Sequence, residues 1–153
     1  MAAPTRKDVQ QELAAFEEAC RGAGLKLTHQ RLEIYRELMQ AVDHPSVETL
    51  FQRVRRRIPT ISLDTVYRTL SMLEQYDLIR RIQTYGAFSR FEKQFRRHHH
   101  LFCRKCQELT DVAWEALENL PLPPEMADWG SVEEKNLLIE GVCRKCFRGK
   151  NGR

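Results

Sequence analysis

Two short cysteine motifs carry the clearest chemistry in this 153-residue chain, Cys103-Arg-Lys-Cys106 and Cys143-Arg-Lys-Cys146. A C-x-x-C spacing lets two thiolates turn onto one cation, and two such knuckles complete a tetrahedral four-thiolate shell with no open position. They predict a structural Zn2+ held by Cys103, Cys106, Cys143 and Cys146, with a redox pair as the alternative. The fifth cysteine, Cys20, stands on an apolar helical stripe and reads as a core residue. A second constellation begins at His98-His99-His100. In an extended segment His98 and His100 share one face while His99 points to the other, so two imidazoles form half a metal site. Taken alone the triplet reads equally as a solvated linker or a phosphate contact. His44, Glu92 and Asp111 are the candidates to complete it, and a mixed nitrogen and oxygen shell without thiolate suits Fe2+ or Mn2+ and also accepts Zn2+.

The scaffold for these groups is one ordinary domain or two small ones, given the length and a composition that is 42% hydrophobic and 30% charged. No apolar run approaches the roughly 18 to 20 residues of a membrane span, and the polar start, Met1 to Gln11, has no secretory character. A cytoplasmic protein with no membrane partner is expected, in which reduced thiols are poor disulfide candidates. The net charge of +4 permits a nucleic-acid partner without demanding one. Between residues 53 and 81, however, Arg53, Arg55, Arg56, Arg57, Arg68, Arg80 and Arg81 face only Asp64, Glu74 and Asp77. Such a run is either a solvated helix face or a phosphate-binding surface.

Apolar spacing predicts helices first. Val9, Leu13, Phe16 and Cys20 repeat at helical intervals until Gly22 and Gly24. Thr28 caps a second helix with Leu32, Tyr35, Leu38, Met39 and Val42 inward, closed by the Asp43-His44-Pro45 turn. Ser46 caps a third, with Val47, Leu50, Phe51 and Val54 inward, ended by Pro59. Ser62 caps a fourth, in which Leu63, Val66, Leu70 and Leu73 form the apolar stripe and Thr65, Tyr67, Arg68 and Ser71 the opposite face. Two helices joined by a tight turn, the second exposing hydrogen-bonding side chains beside arginines, make a helix-turn-helix pattern. Residues 78–82 and 88–92 flank Tyr85-Gly86 as a β-hairpin, which makes the whole a winged helix. Lys93 to Arg97 reads as a hinge. Beyond it, residues 101–102 and 109–112 read as strands around the first knuckle, and 137–139 leads into the second. Trp114 to Leu120 reads as a short helix, because Pro121, Pro123 and Pro124 forbid a long one. The resulting fold class is α+β: a winged-helix DNA-binding domain over 1–92, a hinge at 93–97, and a small α/β dimerisation and metal-binding domain over 98–153. The last, at about 55 residues, is small enough to need a zinc staple or a partner subunit.

Taken in order, these motifs resemble the ferric uptake regulator (Fur) family of bacterial metal-dependent repressors. The likeness runs through Gly24-Leu25-Lys26-Leu27-Thr28 and Gln30-Arg31, His44-Pro45-Ser46, Thr65-Val66-Tyr67-Arg68, Gly86 to Glu92, His98-x-His100 and both cysteine knuckles. It implies a homodimer paired through the C-terminal domains, with winged helices entering major grooves of an AT-rich inverted-repeat operator in double-stranded DNA. By position, Thr65, Tyr67 and Arg68 match the base- and phosphate-contacting helix and Lys26 a minor-groove contact, while Arg56 and Arg57 belong to the phosphate-facing cluster. His44, Glu92, His98, His100 and Asp111 match the regulatory Fe2+ or Mn2+ ligands that bridge the two domains.

Within the family, Gly86-Ala87 to Phe91 and the compact Ile58-to-Ser62 link resemble the peroxide-sensing branch, whose iron oxidises a ligand histidine at positions matching His44 and His98. Glu92 instead resembles the iron-sensing members, so an iron-responsive regulator is the alternative. A zinc sensor usually adds a regulatory cysteine near this point, and none lies between Cys20 and Cys103. A further metal site of some members matches His99 and Glu118, but Arg97 and Lys135 stand where two more histidines would be, and that site is expected to be absent. No nucleophile elbow, phosphate-binding glycine loop or H-E-x-x-H helix points to an enzyme. A zinc-ribbon protein-interaction module is the remaining rival.

Overall fold

The computed structural model describes residues 5–84, 89–93, 98–126 and 128–149. The expected hairpin tip at Tyr85-Gly86, most of the expected hinge, and Arg97 lie outside the described residues. The chain divides into two compact units, residues 1–95 and 96–153.

In the first unit, four helices precede a two-stranded ribbon: α1 (Arg6–Gly22), α2 (His29–Gln40), α3 (Val47–Arg55), α4 (Leu63–Gln75), β1 (Arg80–Ile82) and β2 (Arg90–Glu92). Local chemistry sets the helix starts. Thr28, Ser46 and Ser62 each accept a hydrogen bond from the backbone N–H three residues on, satisfying a donor the first turn would otherwise leave open. Thr5 and Asp8 form a reciprocal capping box on α1. That helix closes where Gly24 takes φ +67°, with Leu25 N donating to Cys20 O at 2.8 Å and Gly24 N to Arg21 O at 3.1 Å.

Val9, Leu13, Phe16 and Cys20 from α1 pack with Ile34, Leu38 and Met39 from α2, Leu50 and Val54 from α3 and Val66, Leu70 and Leu73 from α4 in one core. Phe16 and Tyr35 stack with centroids 3.9 Å apart. Each such side chain contributes about 1.5–3 kcal/mol on leaving water. Ile79 and Phe91 bring the ribbon onto the same core. The ribbon is antiparallel, with Arg80 opposite Glu92 and Ile82 opposite Arg90.

Three expectations need correction. Val42 is 64% exposed rather than inward, because α2 stops at Gln40 and the chain turns away toward His44. Leu63 is 37% exposed, since it stands at the first position of α4 with no preceding turn to cover. α3 ends at Arg55, before Pro59, with Arg56 N and Arg57 N bonding back into the last turn.

The second unit contains β3 (His99–Cys103), β4 (Leu109–Val112), α5 (Glu115–Glu118), a 3-10 turn at Pro124–Met126, β5 (Leu138–Gly141) and α6 (Arg144–Arg148). Its sheet has the order β4-β3-β5, with β4 antiparallel and β5 parallel to the central β3. α6 was not foreseen. It starts directly after Cys143 and carries Cys146.

Candidate metal centres and nucleic-acid interface

The two knuckles are brought together by the parallel pairing of β3 and β5, which sets Cys103 opposite Gly141, two residues before Cys143. All four Sγ atoms lie within 4.8 Å of one another. The Cys106 and Cys143 sulfurs are 3.7 Å apart. Zinc–sulfur bonds of about 2.3 Å in a tetrahedron give edges of about 3.8 Å, so the thiols stand at the spacing of a zinc shell. None is in a disulfide. Backbone N–H groups of Cys106, Cys143 and Lys105 point at Cys103 and hold its thiol down to about 6, favouring the thiolate that a metal needs. Cys143 N donates to its sulfur at 3.2 Å.

Within the second unit, β3 sorts the histidine triplet by alternation. His98 and His100 fall on one face, their Nε2 atoms 3.1 Å apart. Asp111 is the antiparallel partner of His100 and brings Oδ1 to 3.6 Å from His100 Nε2 and 3.7 Å from His98 Nε2. Adjacent ligands around an octahedral cation with bonds of about 2.1 Å are about 3 Å apart, close to the imidazole spacing here. His99 points the other way and is fully buried, its Nε2 3.3 Å from Glu118 Oε1. Lys135 Nζ donates at 3.1 Å to the Glu118 carbonyl oxygen and also to that of Leu120.

Within the first unit, His44 Nε2 lies 3.3 Å from Glu92 Oε2, and both residues are buried. His44 has φ +46°, a left-handed backbone in which a non-glycine residue stores roughly 1–3 kcal/mol unless its surroundings impose it. The turn is held from both sides. Asp43 accepts two hydrogen bonds from Arg53, at 3.0 and 2.5 Å, and Arg90 Nη1 donates to the His44 carbonyl oxygen at 3.2 Å. In each unit the residue types are those that bind a cation through mixed nitrogen and oxygen ligands.

The outer face of α4 presents Tyr67, 46% exposed, and Arg68, whose side chain is 82% exposed and pairs with Asp64 at 2.9 Å. Tyr67 Oη donates to Glu48 Oε1 on α3 at 3.0 Å, which raises the phenol's pKa. Thr65 is partly covered and shares a hydrogen bond with Ser62 at 2.8 Å. Lys26 and Arg56 are exposed. The other arginines of the cluster have partners within the unit. Arg57 bonds to Glu33 and Gln40 and lies 3.2 Å from Glu37, Arg55 lies over Phe51, and Arg81 pairs with Glu74. The buried Glu33, which also pairs with Arg36, is what draws Arg57 back, and no spacing in the sequence pointed to it. Among the described residues, no helix is long and apolar enough to cross a membrane.

A family model described as the ferric uptake regulator family matches residues 22–130. The peroxide-responsive repressor PerR of Staphylococcus epidermidis is 29% identical over 142 residues, 92% of this chain and 93% of that protein. A zinc-bound manganese uptake regulator is 30% identical, with a TM-score of 0.67 over 83% of this chain and 97% of that one. The ferric uptake regulator of Vibrio cholerae is 29% identical, with a TM-score of 0.70 over 82% and 98%.

Proposed function

The chain belongs to the ferric uptake regulator family, whose members are transcription regulators rather than enzymes, and we propose that it is a cytoplasmic, metal-dependent, peroxide-responsive repressor that binds operator DNA as a homodimer. The observation that carries this reading is the pairing of imidazole with carboxylate in both units, His44 with Glu92 and His98 and His100 with Asp111. One Fe2+ or Mn2+ drawing ligands from residues on both sides of the hinge at 93–97 would fix the angle between a DNA-binding domain, 1–92, and a dimerisation domain, 98–153. Binding energy spent on that angle biases the DNA-competent conformer. The four thiols hold a separate structural Zn2+, which supports a unit too small to be stable on its own apolar burial. Leu120, Leu122, Met126 and Trp129 expose apolar surface in that unit, as a self-associating face requires.

In the DNA complex, α4 enters the major groove with Thr65, Tyr67 and Arg68 at the bases and phosphates, and Lys26 reaches the minor groove. Arg56, exposed beyond the end of α3, meets phosphate, and so does Arg57 once released from Glu33 and Glu37. An AT-rich inverted repeat matches a two-fold dimer. The peroxide assignment follows the staphylococcal relatives, which are peroxide-responsive repressors. When bound, ferrous iron would be held by His44, Glu92, His98, His100 and Asp111 and would supply the redox chemistry toward peroxide. Oxidation of His44 or His98 would then remove a ligand and release the operator.

The test is an operator-binding titration of zinc-loaded protein, stripped of other metals, with Fe2+, Mn2+ and Zn2+ in turn, each with and without peroxide. Activation by Fe2+ and Mn2+, with peroxide abolishing only the Fe2+ state, is the expected result. Peroxide-insensitive activation by Fe2+ would replace this reading with an iron-responsive one.

A further inference from the structure

The turn that presents His44 is shaped by a residue outside the proposed ligand set. We propose that Arg90 is a positioning residue for the regulatory cation, holding the His44 turn from the same strand that carries Glu92, so that ring and carboxylate are set for a metal before it arrives.

Four contacts support the assignment. Arg90 Nη1 donates to the His44 carbonyl oxygen at 3.2 Å. One residue on, Phe91 N donates to the Pro45 carbonyl oxygen at 3.3 Å, and Ser46 and Arg90 form an isolated antiparallel bridge. Two residues on, Glu92 Oε2 meets the His44 ring at 3.3 Å. On the other side of His44, Asp43 is gripped by Arg53 through two hydrogen bonds, at 3.0 and 2.5 Å. The φ of +46° at His44 is where an L side chain rarely rests, and it persists when neighbours over-determine it. Arg90 is suited to this because its planar fork donates in a fixed direction, which a lysine ammonium does not. A histidine ligand also depends on the groups that orient it, whose loss typically weakens metal binding by about 10- to 100-fold.

The proposal rests on His44 being a ligand, and the experiment separates the two claims. Zinc-loaded protein is titrated with Mn2+ by electron paramagnetic resonance, alongside the variants Arg90→Gln, Arg90→Lys, Arg81→Gln and His44→Ala, and the melting of each Mn2+-free protein is recorded. Arg81 lies over the Phe91 ring on the neighbouring strand and serves as the control. Arg90→Gln is expected to lose about 10- to 100-fold in Mn2+ affinity while zinc content and Mn2+-free melting stay near those of the parent. Arg90→Lys should fall between, and Arg81→Gln should bind like the parent. A merely structural arginine would instead lower the melting and leave affinity of the folded protein unchanged. Affinity within twofold of the parent in Arg90→Gln overturns the proposal, as does an equal loss in Arg81→Gln. Should Arg90→Gln not fold, parental affinity in Arg90→Lys overturns it. If His44→Ala binds Mn2+ like the parent, the ligand assignment fails and the proposal with it.

Discussion

The Tyr67 hydroxyl donates its one proton to Glu48, 3.0 Å away on the preceding helix. That leaves only its lone pairs facing outward, and Glu48, lowered in pKa although burial opposes it, stays ionised as the acceptor. A phenol in this arrangement accepts from an exocyclic amine or packs its ring on a thymine methyl, and does not donate to a phosphate. Tyr67→Ala should therefore reduce discrimination between the operator and single-base variants by about 1 kcal/mol or more, roughly fivefold. Arg56→Ala should weaken all DNA sequences alike and lower the salt slope by about one. Competition binding at several salt concentrations distinguishes them, and intact operator binding in both variants would remove α4 from the interface.

Replacing Cys103 or Cys143 by Ser should unfold the second unit and dissociate the dimer, because the binding energy of a closed zinc shell is folding energy. Elemental analysis should find about one zinc per chain in the parent after mild chelation, the stoichiometry of four thiolates around one ion. A variant that keeps its circular dichroism and dimeric mass without zinc would contradict this.

Loading with Fe2+ and adding one equivalent of peroxide should place one extra oxygen on the peptides containing His44 or His98, read by mass spectrometry. Mn2+-loaded protein should show none. His98→Ala should lose metal-dependent operator binding, and its retention would mean that the ligands have been misassigned.

The Asp43–Arg53 pair gives a pH signature. Its folded carboxyl is depressed chiefly by the hydrogen bonds from Arg53, so the stabilisation is present above the unfolded value of about 4 and is lost as pH falls through the lower, folded one. Arg53→Gln should melt below the parent at pH 7, and the two curves should converge as pH drops past that folded value. A difference independent of pH would mean that the pair contributes through packing alone.

Much of this was legible in the sequence where the cause is local. Thr28, Ser46 and Ser62 cap helices because a hydroxyl meets an N–H three residues away, and His98 and His100 share a face because strands alternate. What escaped depends on distant partners. Nothing near Leu138 announces that β5 runs parallel to β3. Glu33 is buried with Arg36 and Arg57 as its partners, and Arg57, though still exposed, is turned toward it. The turn with positive φ at His44 likewise has distant hydrogen-bond partners, Arg53 on α3 and Arg90 on β2.

The parallel pairing that joins the knuckles also sets a timetable. Cys106 and Cys143 are 37 positions apart in sequence. At a synthesis rate of about 5–20 residues per second, the second pair of thiols follows the first by roughly 2 to 8 s. Until the second pair arrives, Cys103 and Cys106 are a dithiol with two ligands to offer, able to be oxidised or to bind a metal that the finished shell would reject. The antiparallel turn of β3 and β4 can form at once, whereas β5 must wait. Zinc supply and thiol reduction in those seconds therefore bear on how much of the newly made chain closes its shell.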